Sequence, residues 1–437
     1  MKFHTFSVKL TDLVNCILNA IGLISPTIAR HHNRVAYISM RICEGLGLSE
    51  EERAATVLAA DMHDLGALAL EESINDLRFE DDYIHDHSFA GAHFLEHFPP
   101  FRNLAPLIRY HHQRWQTAMQ QPAKREQVPL GSYIIHLADR VAVAIDEHEN
   151  VLAQRQRVID YVKKERGMEF HPECVDAFLE KAQPEYFWMD IASQLTEIAG
   201  ERPCREKIIE LDGEDVLSWA KFLSRLVDFR SPLNANHSSG VAASAAALAG
   251  LARFSRRECR MMLIAGYLHD IGKLSVPTAI LEKNGPLDTY ERAVINGHTY
   301  YTYRILDHVK EFDTLARWAA FHHERLDGCG YPFRITGVDL PLGSQIMAVA
   351  DIFTALKEDR PYRQALGKRE VLETMGKMAQ DGAINGDLLL LLKENYELVN
   401  RARCDRQVRS AGEYAAMNPY FSRKMQRPAR AFSGKRP

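Results

Sequence analysis

The chain has 437 residues, 46% of them hydrophobic and 26% charged, which is material for two or three domains with substantial cores. A formal net charge of −4 gives no global hint of nucleic-acid or membrane affinity. The charge is unevenly spread: residues 401–437 hold ten Lys and Arg against Asp405 and Glu413, about +8, leaving about −12 on the rest.

In chain order, Val8 to Ile28 is apolar at helical spacing but carries Lys9, Asp12, Asn15 and Asn19, so it reads as an amphipathic packing helix and not as a membrane span. Behind it come His31, the His63-Asp64 pair, His87, the His111-His112 pair and Asp139. Gly167 to Leu179, with Phe170 and Pro172, reads as a helix that closes this first set. Helix-spaced apolar positions then recur over 215–229, 239–253, 257–269, 288–309 and 315–322, while 328–343 is rich in Gly and Pro and reads as a loop. Strand-like alternation is scarce, so the expected fold is all-α. Residues 401–437 lack a sustained apolar period and read as a solvated, flexible tail.

A second ligand set accompanies the later helices: His237, His269-Asp270, His298, His322-His323 and Asp351. The two sets share their spacing. His31 to His63 is 32 residues, as is His237 to His269; His87 to His111 is 24, as is His298 to His322. From His112 to Asp139 is 27 against 28 from His323 to Asp351, and only the step from the His-Asp pair to the single His differs by more than one residue, with a shorter connection in the first set. Such self-similarity predicts two copies of one unit, at 1–200 and 205–400.

Seven nitrogen and oxygen donors are too many for one divalent ion and are the right types for a two-metal hydrolytic centre with one shared Asp. His269 and Asp270 suit that arrangement, the imidazole on one ion and the carboxylate across both, with Asp351 as a terminal ligand. Any one of these histidines alone would be an ordinary core residue; seven in order, twice over, are not. A bridging water between two such ions would be deprotonated near neutral pH and the phosphoryl oxygens clamped.

The last pair continues as His322-His323-Glu324-Arg325-Leu326-Asp327-Gly328-Cys329-Gly330-Tyr331-Pro332. This string, HHExxDGxGYP, with the earlier His-Asp pair, resembles the HD-GYP phosphohydrolases, whose members hydrolyse cyclic dinucleotides. The resemblance implies an all-α HD-superfamily fold and places His237 on the first ion, with His298, His322 and His323 on the second or in shared positions. It gives Lys273 a role at the scissile phosphate and leaving group; four residues after His269, it would share that histidine's face if helical geometry persisted past Gly272. It places Arg360 and Arg363 against the substrate phosphates, for which guanidinium groups are suited. Tyr331 falls in the loop that shapes the site and offers a docking surface for a protein partner, and it is a further candidate substrate contact. Some members recruit a third metal through a Glu four residues before the first ligand His; here that position is Leu233, and Thr27 in the first copy, so two ions are expected, iron or manganese first, with zinc and nickel open.

The first copy keeps its seven candidate ligands, but Ala67 stands in place of the lysine and His111-His112-Gln113-Arg114-Trp115 runs on without the DGxGYP string. It resembles a plain HD domain. Three readings stay open for it: metal-dependent hydrolysis of a linear nucleotide or phosphomonoester, a regulatory scaffold with or without metal, or relic ligands inside a core. For the whole chain the tandem layout resembles bacterial phosphodiesterases of 3′,3′-cyclic GMP-AMP, and cyclic di-GMP is the usual family substrate. The alternatives are a cyclic-dinucleotide sensor without turnover and a mononucleotide phosphohydrolase. Seven cysteines without CxxC spacing fit reduced thiols in a cytoplasmic protein.

Overall fold

A computed structural model describes residues 6–70, 85–121, 127–193, 208–230, 236–359 and 364–417. The principal elements of the first copy are β1 (Phe6–Lys9), α1 (Leu10–Ile24), α2 (Pro26–Gly45), α3 (Glu50–Asp61), α4 (His85–Glu96) and α5 (Leu130–Ala144). Those of the second are β2 (Ile208–Leu211), α6 (Gly213–Arg230), α7 (His237–Leu251), α8 (Arg256–Leu268), α9 (Thr289–Leu306), α10 (Asp313–Ala320), α11 (Leu342–Leu356) and α12 (Tyr396–Met417). The fold is all-α, as expected, apart from the two-stranded ribbon of β1 and β2.

The duplication is visible in local chemistry. Ser49 and Glu52 form a capping box at the start of α3, and Ser255 and Glu258 form the same box at the start of α8, 206 residues later. That offset also relates His63 to His269. A Cβ on Gly66 would come within 2.0 Å of the His87 carbonyl oxygen, and one on Gly272 within 1.9 Å of that of His298. In both copies the absent side chain lets the turn after the Asp lie directly on the helix that carries the single His.

The copies pack about an approximate two-fold relation. β1 and β2 pair antiparallel in the register Phe6–Leu211, Ser7–Glu210, Val8–Ile209 and Lys9–Ile208. Each leads into a first helix that reaches across to the other copy. α1 packs on α9 and on the turn Ile271–Ser275, with the Cys16 thiol donating to the Ile305 carbonyl at 3.1 Å. α6 packs on the short helix Leu65–Leu70, and Phe222 meets Phe94 edge-on at 6.0 Å. Of Val8 to Ile28, only Leu10–Ile24 is the expected packing helix: Val8 and Lys9 belong to β1, and the chain breaks at Ser25 before Pro26 opens α2. No helix among the described residues is long and apolar enough to cross a membrane.

Two further expectations are corrected. The closing segment of the first copy is not helical from Gly167, which sits at φ +77°; the helix begins at Pro172, capped by His171. Residues 401–417 are not a flexible tail but the greater part of α12, which lies along α7. Tyr396, Val399 and Arg403 are buried at helical spacing, and Arg403 bonds Asn400 and Gln407. A buried arginine stem does the work of an apolar residue there, which hides the period. The remainder of that tail, 418–437, lies outside the described residues.

Candidate metal centres

α7 is built from small residues, His237-Ser238-Ser239-Gly240-Val241-Ala242-Ala243, which lets α8, α11 and α12 approach closely. That close packing brings His237 at its N-terminus, His269 after α8 and Asp351 on α11 into one buried cluster. The Asp270 carboxylate divides between two groups. Its Oδ2 lies 3.2 Å from His269 Nε2 and 4.0 Å from His237 Nε2, while its Oδ1 lies 3.3 Å from His298 Nε2. Asp351 Oδ1 sits 3.0 Å from His237 Nε2 and 3.9 Å from His269 Nε2. His298, His322 and His323 gather on the opposite side. The structure therefore brings together all seven predicted ligands of the second copy.

These donors are pre-aimed. His269, His298 and His322 each bond through Nδ1 to the backbone carbonyl three residues back, at 2.8, 2.6 and 2.7 Å, which leaves Nε2 facing the centre. Burial pushes His298, His322 and His323 down to about 3, so they are neutral donors. Burial alone would raise Asp270, but His269 and Lys273 hold it well below the ordinary carboxylate range. A buried, ionised carboxylate beside the neutral imidazoles of His298, His322 and His323 fits divalent cations.

α8 ends at Leu268, and Ile271–Ser275 is a turn of 3₁₀ helix. With three residues per turn, Lys273 aligns with Asp270 and not with His269 as α-helical geometry would have it. Its Nζ donates to Asp270 Oδ2 at 2.6 Å. The loop after the last His pair is organised by Glu324, buried, whose carboxylate accepts the backbone N–H groups of Phe333, Arg334 and Ile335 at 2.7, 3.1 and 3.0 Å. Gly330 is required there, because a Cβ would come within 2.5 Å of Arg325 N. Tyr331 packs its ring on His323, 5.0 Å between centres. Arg360, Arg363 and Leu233 lie outside the described residues.

The first copy repeats the plan. Asp64 Oδ2 is 3.1 Å from His63 and 3.8 Å from His31, its Oδ1 is 3.4 Å from His87 and 3.7 Å from His111, and His112 joins that second group. Asp139 Oδ1 is 3.1 Å from His31. A cavity of about 670 Å³ opens between the copies, lined by Arg30, Arg34, Tyr300, Tyr301 and Arg304 among others, but by none of these ligands.

Sequence reasoning missed several residues. Glu358 Oε2 meets His237 Nδ1 at 2.8 Å, while its Oε1 accepts from Gln407 of α12 at 2.6 Å. Burial opposes protonation of His237, yet Glu358 and Asp351 lift it to about 10. Removing Glu358 frees the ring to turn, so Glu358→Ala is expected to weaken metal binding ~10–100-fold. Chelator competition measures this; an unchanged affinity would show that α12 has no part in the centre. Asp228 on α6 is buried within electrostatic reach of His237, Asp270 and Lys273, and burial pushes its carboxyl well above the ordinary range. In the first copy, His32, His136 and Arg140 are buried around the ligands. Apart from Glu358, which like Asp146 is a carboxylate seven residues after the last Asp of its copy, none of these stands at a spacing shared by the two copies.

With this geometry in view, comparison with known proteins is informative. The HD domain family matches residues 28–144 and again, in a second form, residues 221–388. A 3′3′-cGAMP-specific phosphodiesterase of Vibrio cholerae is 28% identical over 399 residues, covering 89% of this chain and 92% of that protein. A cyclic di-GMP phosphodiesterase response regulator of Xanthomonas campestris is 40% identical over 113 residues, 25% of this chain and 30% of its own. The crystal structure of a cyclic GMP-AMP specific phosphodiesterase of Vibrio cholerae superposes with a TM-score of 0.60 at 24% identity, over 91% of this chain and 98% of that one, which establishes a shared fold.

Proposed function

Because the chain belongs to the HD-domain family, with two such domains in tandem, we propose that it is a metal-dependent phosphodiesterase that opens a cyclic dinucleotide to the linear form in its second centre. The relatives named above act on 3′3′-cGAMP and cyclic di-GMP, and the near full-length match favours the mixed GMP-AMP molecule. The observation that carries the reading is the Asp270 carboxylate, one oxygen toward His269 and the other toward His298, with Lys273 Nζ 2.6 Å away.

Two divalent ions, iron or manganese, fit this donor set: His237, His269, Asp270 and Asp351 for one, Asp270, His298, His322 and His323 for the other. When bound they supply Lewis-acid activation of water and of the phosphoryl oxygens. In the reaction a P–O bond to water forms and the bond to the ribose 3′-oxygen breaks. Lys273 stabilises the departing oxygen or gives it a proton, while Asp270 holds the ammonium in place. Arg360 and Arg363 are proposed to grip the phosphates, Tyr331 to border the base, and the exposed Phe333 and Val338 of its loop to face a protein partner.

The first centre keeps the shared carboxylate but has buried Ala67 where Lys273 stands. It is proposed to hold metal without opening the cyclic diester. The test is hydrolysis of 3′,3′-cyclic GMP-AMP and cyclic di-GMP by manganese- or iron-loaded protein, with products separated by chromatography. Metal-dependent linear product supports the reading and gives the base preference. Loaded protein that binds either molecule without turnover would make the chain a sensor.

A further inference from the structure

The two centres differ at the residue after the first ligand histidine, which is His32 in one and Ser238 in the other. His32 is 0% exposed, and neither ring nitrogen has a hydrogen-bond partner among the described residues. A buried imidazole in that state calls for an unseen partner.

Its surroundings say what kind. His32 Nε2 lies 3.6 Å from Asp64 Oδ2, the oxygen that also has His63 Nε2 at 3.1 Å and His31 Nε2 at 3.8 Å. Ligand atoms ~2.1 Å from one octahedral ion stand roughly 3.0 Å apart when adjacent and about 4.2 Å when opposed. The His63 distance matches adjacent positions and the other two lie between the two values; His31, His63 and Asp64 already cluster with their donors within 4.8 Å of one another, and His32 would close in to join them. Asp139 Oδ1 lies 3.1 Å from His31 and 3.9 Å from His63. The other oxygen of Asp139 is taken by Arg140, through Nη2 at 2.6 Å and Nε at 3.1 Å. Asp139 therefore has one oxygen to offer, and Ile352 holds the place of Arg140 in the second copy.

We infer that His32 is a fifth protein ligand on the His31 side of the first centre, which holds one divalent ion through three histidines and two aspartates. This rests on the reading that the first centre binds metal. An ion held by these five groups would have fewer positions left for water or a phosphoryl oxygen than one held where Ser238 replaces the imidazole. The first centre is thereby built to retain its ion, and the second to exchange ligands at it.

The experiment follows release of cobalt(II) from the full chain into excess chelator, with visible spectra and metal content by mass spectrometry. Wild type is expected to show a slow phase that Asp64→Ala removes and Asp270→Ala leaves. His32→Ser should speed that phase at least ~10-fold, and His32→Asp, which restores a ligand, should slow it again. His32→Asn replaces the serine variant if that protein does not fold. A slow phase and spectrum unchanged in the folded variant would overturn the role of His32. No metal attributable to Asp64 in wild type would instead overturn metal binding by the first centre, and the inference with it.

Discussion

Asp270→Ala is expected to abolish cyclic-dinucleotide hydrolysis, with a loss in kcat/KM of at least ~10³-fold. Among the described residues, this carboxylate is the one whose two oxygens face both histidine clusters of the second centre. On the proposed two-ion reading its removal would take a ligand from each ion at once, and it leaves the Lys273 ammonium without its 2.6 Å partner. Product analysis with metal content measured on the same sample checks this. A folded variant within about tenfold of wild type would place the chemistry elsewhere, the first centre being the next candidate.

Lys273→Ala is expected to lower kcat by roughly 10²–10³-fold while metal content stays unchanged, which is the range for loss of a positioned proton donor. The lysine lies on the rim of the centre, its side chain 18% exposed, and among the described residues its ammonium bonds the Asp270 carboxylate. Its loss therefore falls on the leaving oxygen and not on the ions. Parallel loss of metal would reduce Lys273 to a counter-charge for Asp270, and an unchanged kcat would remove it from the reaction. The first copy offers the natural comparison, since Ala67 already stands at that position.

The residues gathered in both clusters were legible in the sequence because candidate ligands are of particular types, and the duplication repeats their spacing. The all-α fold was legible for a similar reason, since the apolar period survives along most helices. What escaped was whatever depends on contacts between distant segments. Glu358 and Gln407 support His237 from 121 and 170 residues away in sequence, as polar residues on surfaces that look solvated in one dimension. The strands β1 and β2 are four residues each, too short for alternation to stand out. The change from α to 3₁₀ geometry after Asp270 turns on the approach of Gly272 to the His298 carbonyl, a tertiary constraint that propensity does not carry.

The ribbon of β1 and β2 has a consequence for how such a chain can evolve. Antiparallel pairing of equivalent strands, with first helices crossing to opposite partners, is the geometry of an isologous homodimer enclosed in one polypeptide. In a true homodimer every substitution appears on both sides of the axis, so neither active site can change without the other. Once both halves share a chain, that constraint is lifted. One half is free to surrender its lysine and loop while still bracing its twin.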